Sequence, residues 1–237
     1  FINQDGVEYK TILKSLSYLS LFVVIGMLFS FLVIAGGIII LFQLTHVNEW
    51  DELKKNSIKT SDNQDYVNNV YDKGHMAPDG DLSWDVQVEF ESFLMTNMSP
   101  QAGSLNRGIW KLLETSVRGW TVQLNQSYTV YVGGIYNAQD KKIGNGVVVP
   151  HAFYKIVINN QTNEVAGWMF PHNPPYPNLG NDLTKFRAPI NGIEQAAGVK
   201  YAFPAGAKEL QPGQEWPVDF GALTNAKRAK CGANATE

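Results

Sequence analysis

The chain has 237 residues, 44% of them hydrophobic and 17% charged, which fits one ordinary domain plus an extra element. Nineteen Lys and Arg against 22 Asp and Glu leave a net charge of -3, so composition does not advertise a nucleic-acid binder, although a local basic groove is compatible with it. A lone cysteine, Cys231, excludes an internal disulfide.

Residues 1–14 read as a short polar N-terminal tail. The chain starts at Phe1 and not at methionine, as it does after removal of a mitochondrial presequence or after simple truncation. Ser15 through Thr45 carry no charge and are dominated by Leu, Ile, Val and Phe. About 20 apolar residues span a bilayer, so 15–45 is predicted to be a transmembrane helix. The apolar run is far longer than the core of a signal peptide, roughly 7–15 residues, and no small-residue cleavage site follows it. An uncleaved, single-pass anchor in contact with membrane lipid is expected. Lys10 and Lys14 on one side are balanced by Lys54, Lys55 and Lys59 on the other, so the positive-inside rule gives no orientation. Residues 46–69 have the polar composition of a linker.

Globular texture runs from 70 to 220, with 221–237 as a C-terminal tail. Trp84 to Met95 is predicted as a helix on mixed periodicity. Leu105, Ile109, Leu112, Leu113 and Val117 form one apolar stripe, which predicts a helix from Leu105 that stops at Gly119. Segments 128–136, 146–158 and 165–170 are rich in β-formers. Four prolines mark 171–177 as a loop, and Ile190–Ala197 reads as a short helix ended by Gly198. The sum is an α+β domain, a mostly antiparallel sheet with helices packed on it.

Three segments carry the candidate chemistry: Asp72-Lys73-Gly74-His75, Thr96-Asn97-Met98-Ser99-Pro100-Gln101, and Leu105-Asn106 running through Glu114 to Arg118. Imidazole titrates near neutrality, which suits His75 to the role of a general base, with Gly74 allowing a close turn beside it. Asn106 offers a neutral carbonyl oxygen that suits Mg²⁺. Glu114, two turns on, leans back toward Asn106 but is too far along the helix to share direct ligation easily. Arg118 falls four residues after Glu114, on the same face and in pairing range. Each residue alone is more often structural: an isolated histidine usually caps a turn, and the helix is otherwise an ordinary amphipathic one. His46, His151 and His172 read as boundary or loop residues, Trp110 and Trp120 as core, and Lys227-Arg228-Lys230 as a solvated basic tail.

In order and spacing these segments resemble the DNA/RNA non-specific endonucleases of the ββα-metal type, including the endonuclease G group, over roughly residues 70 to 205. The resemblance implies a ββα-metal nuclease fold, with His75 as general base and Asn106 as the direct protein ligand of one mostly water-ligated Mg²⁺. It further implies that Glu114 holds the metal's waters and that Arg118 assists the leaving group. Lys73, Asn97, Gln101 and Arg107 are the expected contacts to DNA or RNA, with Lys73 also counted in the catalytic set. Two features depart from the pattern. Lys73 stands where the family carries arginine, which keeps the charge and loses the bidentate fork. The strands that precede the histidine motif in the family have little room between the apolar run and Val70.

Two functions therefore compete. One is a membrane-anchored, Mg²⁺-dependent endonuclease hydrolysing phosphodiester bonds in DNA and RNA. The other is a nuclease-derived accessory subunit, weak or inactive, of a large membrane complex such as a mitochondrial respiratory assembly, packed against other membrane-protein subunits. The mitochondrial inner membrane is the favoured location, with a bacterial plasma membrane as the alternative.

Overall fold

The computed structural model describes residues 7–11 and 61–231, with side chains from 61 to 226. Its centre is a five-stranded sheet of β1 (Val7–Thr11), β4 (Tyr128–Ile135), β7 (Ala152–Asn159), β8 (Glu164–Pro171) and β9 (Lys208–Glu209), in that spatial order. The three long strands pair antiparallel, while β1 and β9 add parallel edges. Val7–Thr11, within the stretch read as a tail, thus lies beside β4 as an edge strand. The predicted transmembrane helix at 15–45 lies outside the described residues. Among the described residues no helix is long and apolar enough to cross a membrane.

Period-two alternation sends the strands' side chains to two separate cores. One face presents Val130, Val132, Phe153, Val157, Trp168 and Phe170 to helix α2 (Lys111–Leu124), which contributes Leu113, Val117 and Trp120. The other presents Tyr131, Tyr154, Ile156 and Ile158 to α3 (Ile190–Ala197), which contributes Ile190, Ile193 and Ala197. Burying both faces between helices gives a three-layer α+β domain, and α3 ends where predicted, with Gly198 left-handed at φ 62°.

Outside that sheet, β2 (Tyr71–His75) pairs antiparallel with β3 (Met98–Ala102), and α1 (Val86–Ser92) lies between them in sequence. Asp85 caps α1 by accepting from the amides of Gln87 at 2.8 Å and Val88 at 3.2 Å. After β3 the chain makes a helical segment, Leu105–Trp110, that is kinked at Gly108 and runs into α2. A second two-stranded pair, a small hairpin, joins β5 (Lys142–Ile143) to β6 (Val147–Val148). The remaining helix, α4 (Phe220–Cys231), occupies the stretch read as a C-terminal tail.

Several boundaries move for identifiable reasons. Residues 62–66, read as linker, belong to the domain: Asp62 caps a 3-10 turn over Asn63–Tyr66. Inside that turn the carboxylate of buried Asp65 accepts from the Asn145 amide at 2.6 Å. Gly119 does not end α2, which continues to Leu124 and stops at left-handed Asn125. A Cβ at Gly119 would lie 2.4 Å from Val218 and 2.8 Å from Leu223, so glycine is there to admit the C-terminal segment. Nor does Gly74 make a turn. It sits inside β2, where a Cβ would fall 2.0 Å from Gln101 Oε1.

Candidate active site

The site is built on the β2–β3 hairpin and the helix that follows it. Strand alternation sends Asp72 and Gly74 to one side of β2, and Lys73 and His75 to the other. Asp72 reaches the start of the helix. Its Oδ2 accepts from Asn106 Nδ2 at 3.0 Å, and its Oδ1 accepts from Arg107 Nη1 at 3.0 Å. This fixes which end of the Asn106 amide is spent: the nitrogen is held by Asp72 and the carbonyl oxygen is left as an acceptor. Asn106 lies in the segment before α2, two residues before Gly108, whose φ of -102° and ψ of -119° break the helical path. The kink at Gly108 takes the chain off the regular helical path, so the straight-helix rise between Asn106 and Glu114 does not apply.

His75 closes β2. Its carbonyl accepts from Trp110 Nε1 at 3.2 Å, which ties the strand end to the helix entry. Its ring meets Phe93 edge-on at 4.9 Å, and its Nε2 is buried with no hydrogen-bond partner. Burial lowers the imidazole below its ordinary range; nearby Asp79 opposes this and Lys155 adds to it. The ring is thus kept neutral with an unspent nitrogen, the state a proton acceptor requires.

The chain after His75 is pinned by Asn97. Its Oδ1 accepts from the Ala77 amide at 2.9 Å, and its Nδ2 donates to the carbonyls of Ala77 and Ser92, each at 2.8 Å. Asn97 is therefore a buried brace and not a surface contact for nucleic acid. Gln101 is also corrected: it is wholly buried across Gly74, and its amide atoms have no partner. Neither side chain reaches solvent, unlike the exposed contacts expected of them. Lys73 is exposed and donates to Asn63 Oδ1 at 2.8 Å, whereas Arg107 stays 72% exposed beside Asp72.

Glu114 is largely buried and Arg118 is partly exposed, and each makes its ion pair with a residue other than the helical neighbour expected. Glu114 Oε1 accepts from Lys155 Nζ at 2.9 Å, and Arg118 Nε donates to Asp81 Oδ1 at 2.5 Å. Burial pushes the Glu114 carboxyl up, and the Lys155 ammonium pulls it back down. Asp79 and Asp81 come from a 3-10 turn four residues past His75, so one short loop sets charge around both His75 and Arg118. Sequence reasoning missed Lys155 and Asp81, and it gave Asp72 no role of its own.

The fit to a cation follows from the donor set. Among the described residues no three His, Cys, Asp or Glu side chains converge as a metal cage. The Asn106 carbonyl oxygen, with Glu114 12% exposed nearby in sequence, suits a hard cation that keeps most of its waters. His172, by contrast, is structural as expected. Its Nδ1 donates to the Pro150 carbonyl at 2.7 Å, and its Nε2 accepts from the Ala102 amide at 2.8 Å. His151 is held at Asp140 Oδ2 at 3.0 Å, remote in sequence from these elements.

Residues 50–208 match the family model of the DNA/RNA non-specific endonucleases. The chain is 30% identical over 155 residues to "Nuclease 1, mitochondrial" of Schizosaccharomyces pombe, covering 57% of this chain and 47% of that protein. It is 27% identical over 153 residues to human "Endonuclease G, mitochondrial", covering 59% and 50%. A chain in the crystal structure of the EndoG/EndoGI complex superposes with a TM-score of 0.53 at 28% identity, over 60% of this chain and 62% of that one. The chain spans about half the length of these curated relatives. With the hairpin, the helix and the matched segment in agreement, the chain belongs to the DNA/RNA non-specific endonuclease family.

Proposed function

We propose that the protein is a divalent-metal-dependent endonuclease that hydrolyses phosphodiester bonds in DNA and RNA without sugar specificity. The observation that carries this reading is the Asp72–Asn106 hydrogen bond, which spends the amide nitrogen and leaves the oxygen to a cation. Mg²⁺ is the expected ion, since a single neutral oxygen ligand and a mostly aqueous shell suit it. When bound, the ion supplies positive charge to the phosphate as it becomes pentacoordinate. His75 takes the proton from the attacking water through its unpartnered Nε2. With a cation held at Asn106, Glu114 would orient its waters, and Arg118 would neutralise the departing oxygen. Arg107, exposed beside Asp72, meets a phosphate of the substrate, and Lys73 supplies a further surface cation.

The relatives named mitochondrial support placement in mitochondria, and the apolar run at 15–45 supports attachment to the inner membrane. A second reading has one observation in its favour: Lys73 stands in place of arginine and is engaged by Asn63. It makes the chain an accessory subunit, inactive or weak, of a membrane assembly. Nicking of supercoiled plasmid by the full chain separates the two. The endonuclease reading expects Mg²⁺-dependent nicking that EDTA abolishes and that His75→Ala reduces by about 100-fold or more, the usual worth of a general base. Intact plasmid under all conditions leaves the accessory-subunit reading standing.

A further inference from the structure

Lys155 sits on β7 in an otherwise uncharged strand, Ala-Phe-Tyr-Lys-Ile-Val-Ile-Asn, and faces the same layer as Phe153 and Val157. Its side chain is 1% exposed. Lysine is almost never buried so completely unless it is paired, and here every contact runs to the candidate site. The ammonium donates to Glu114 Oε1 at 2.9 Å and lies 3.5 Å from the Met76 carbonyl, the residue after His75. It also stands 4.2 Å over the ring of Trp110, whose indole N–H holds the His75 carbonyl. One buried cation therefore touches the Glu114 carboxylate, the chain leaving β2, and the aromatic that anchors the strand end.

From this geometry we infer that Lys155 is a positioning residue of the hydrolytic site, which clamps one oxygen of Glu114 and so sets the direction of the other, the oxygen that would orient the waters of a cation held at Asn106. The inference rests on the endonuclease reading above. A free glutamate near the start of α2 has several rotamers; a carboxylate held at one oxygen by a fixed ammonium has one direction left for the other. The clamp also explains how a carboxylate persists in so dry a place, because an unpaired buried charge is strongly disfavoured. Asp81 and Arg118 are the other charged groups facing this pair, and Lys155 itself bears on His75. The strands flanking β7 contribute none: Val132 and Trp168 are the neighbours of Lys155 in register.

The test is a double-mutant cycle on the full chain with Lys155→Met, Glu114→Gln and both together. Three quantities are read: kcat and KM for plasmid cleavage, the Mn²⁺ dissociation constant by calorimetry, and thermal unfolding. Lys155→Met is expected to lower kcat and weaken Mn²⁺ binding by about 10- to 100-fold, the usual effect of removing a partner that orients a site carboxylate, with KM for DNA nearly unchanged. The double variant is expected to be no worse than Glu114→Gln alone, since the lysine then has nothing left to position. Lys155→Arg, which keeps the charge, is expected to retain more kcat than Lys155→Met. Losses that multiply in the double variant, or a lowered unfolding temperature with kcat and Mn²⁺ affinity unmoved, overturn the inference. If Lys155→Met does not fold, the double variant, with no charge left unpaired between these two positions, replaces it; activity equal to Glu114→Gln supports the clamp and a further loss refutes it. An inactive wild type that binds no Mn²⁺ fails the endonuclease reading itself, whereas an active wild type unchanged by Lys155→Met fails the clamp alone.

Discussion

Two histidines, His172 buried and His75 half-buried, show how this fold separates bracing from an unspent ring nitrogen. His172 has both ring nitrogens engaged, one donating to Pro150 and one accepting from Ala102, so it joins β3 to the loop before β7. His75 has its ring against Phe93 and its Nε2 against nothing. Burial lowers the pKa of each. Hydrogen bonds fix the tautomer of His172 for bracing, whereas His75 keeps a nitrogen unspent, as the proposed general base requires. The difference lies in whether a nitrogen is left unspent, and that is visible in the hydrogen bonds and not in the residue type.

The largest effects should fall on His75. His75→Ala is expected to lower plasmid nicking by about 100-fold or more while leaving the unfolding midpoint within about 1 kcal/mol of wild type. A comparable loss of stability would make His75 another brace and erase the contrast. Next comes Asp72→Ala, which frees the Asn106 amide to rotate. A loss of about 10- to 100-fold in activity is expected, reduced further by the release of Arg107. Unchanged kinetics would mean that Asp72 does not orient Asn106.

His172→Phe should show the reverse profile. The ring contacts to Phe153 and Tyr176 can persist, but the Ala102 amide and the Pro150 carbonyl lose their partner. Each such orphaned group costs about 1–3 kcal/mol, readable as a lower urea midpoint. The pH dependence follows from the same bonds. A histidine whose folded pKa is lowered binds fewer protons folded than unfolded, so stability falls as pH drops below its ordinary value, about 6.5. Urea midpoints between about pH 7.5 and 5.5 should fall more steeply for wild type than for His172→Phe. For catalysis the sign is the opposite of a handicap: a lowered His75 pKa keeps the base neutral, and nicking should persist as pH falls past 6.5 before it fails.

The mildest change is Lys73→Arg. The lysine is exposed and held by Asn63, so restoring the planar fork should raise activity by a factor worth about 1 kcal/mol or less. A larger gain would move Lys73 from the periphery to the centre of phosphate binding.

What the sequence made legible was local. The apolar stripe from Leu105 to Val117 pointed to the helix, and Ile190–Ala197 with Gly198 was read to the residue, whereas the β2–β3 hairpin around Asp72–His75 was not foreseen. What stayed hidden was tertiary. Asn97 and Gln101 have side chains suited to touching nucleic acid, and only packing reveals that one braces Ala77 and the other fills the space above Gly74. Arg118 was matched to Glu114 by helical spacing, while Asp81 and Lys155, distant in sequence, took those partners. One signal was available for Lys155: a single charge inside an eight-residue apolar strand, at a position whose alternate neighbours face the core. Gly119 misled because a helix-stopping residue and a close-packing residue look alike until Val218 is placed against it.

If Asp72 turns Asn106 so that its carbonyl oxygen receives a divalent cation, as proposed, cation binding must depend on that side chain. Mn²⁺ titration followed by electron paramagnetic resonance, on the full chain and on Asn106→Ala, tests it without depending on cleavage. The account predicts one bound ion in the wild type and its loss, or an affinity weaker by at least about tenfold, in the variant. Equal binding by the two proteins would contradict it.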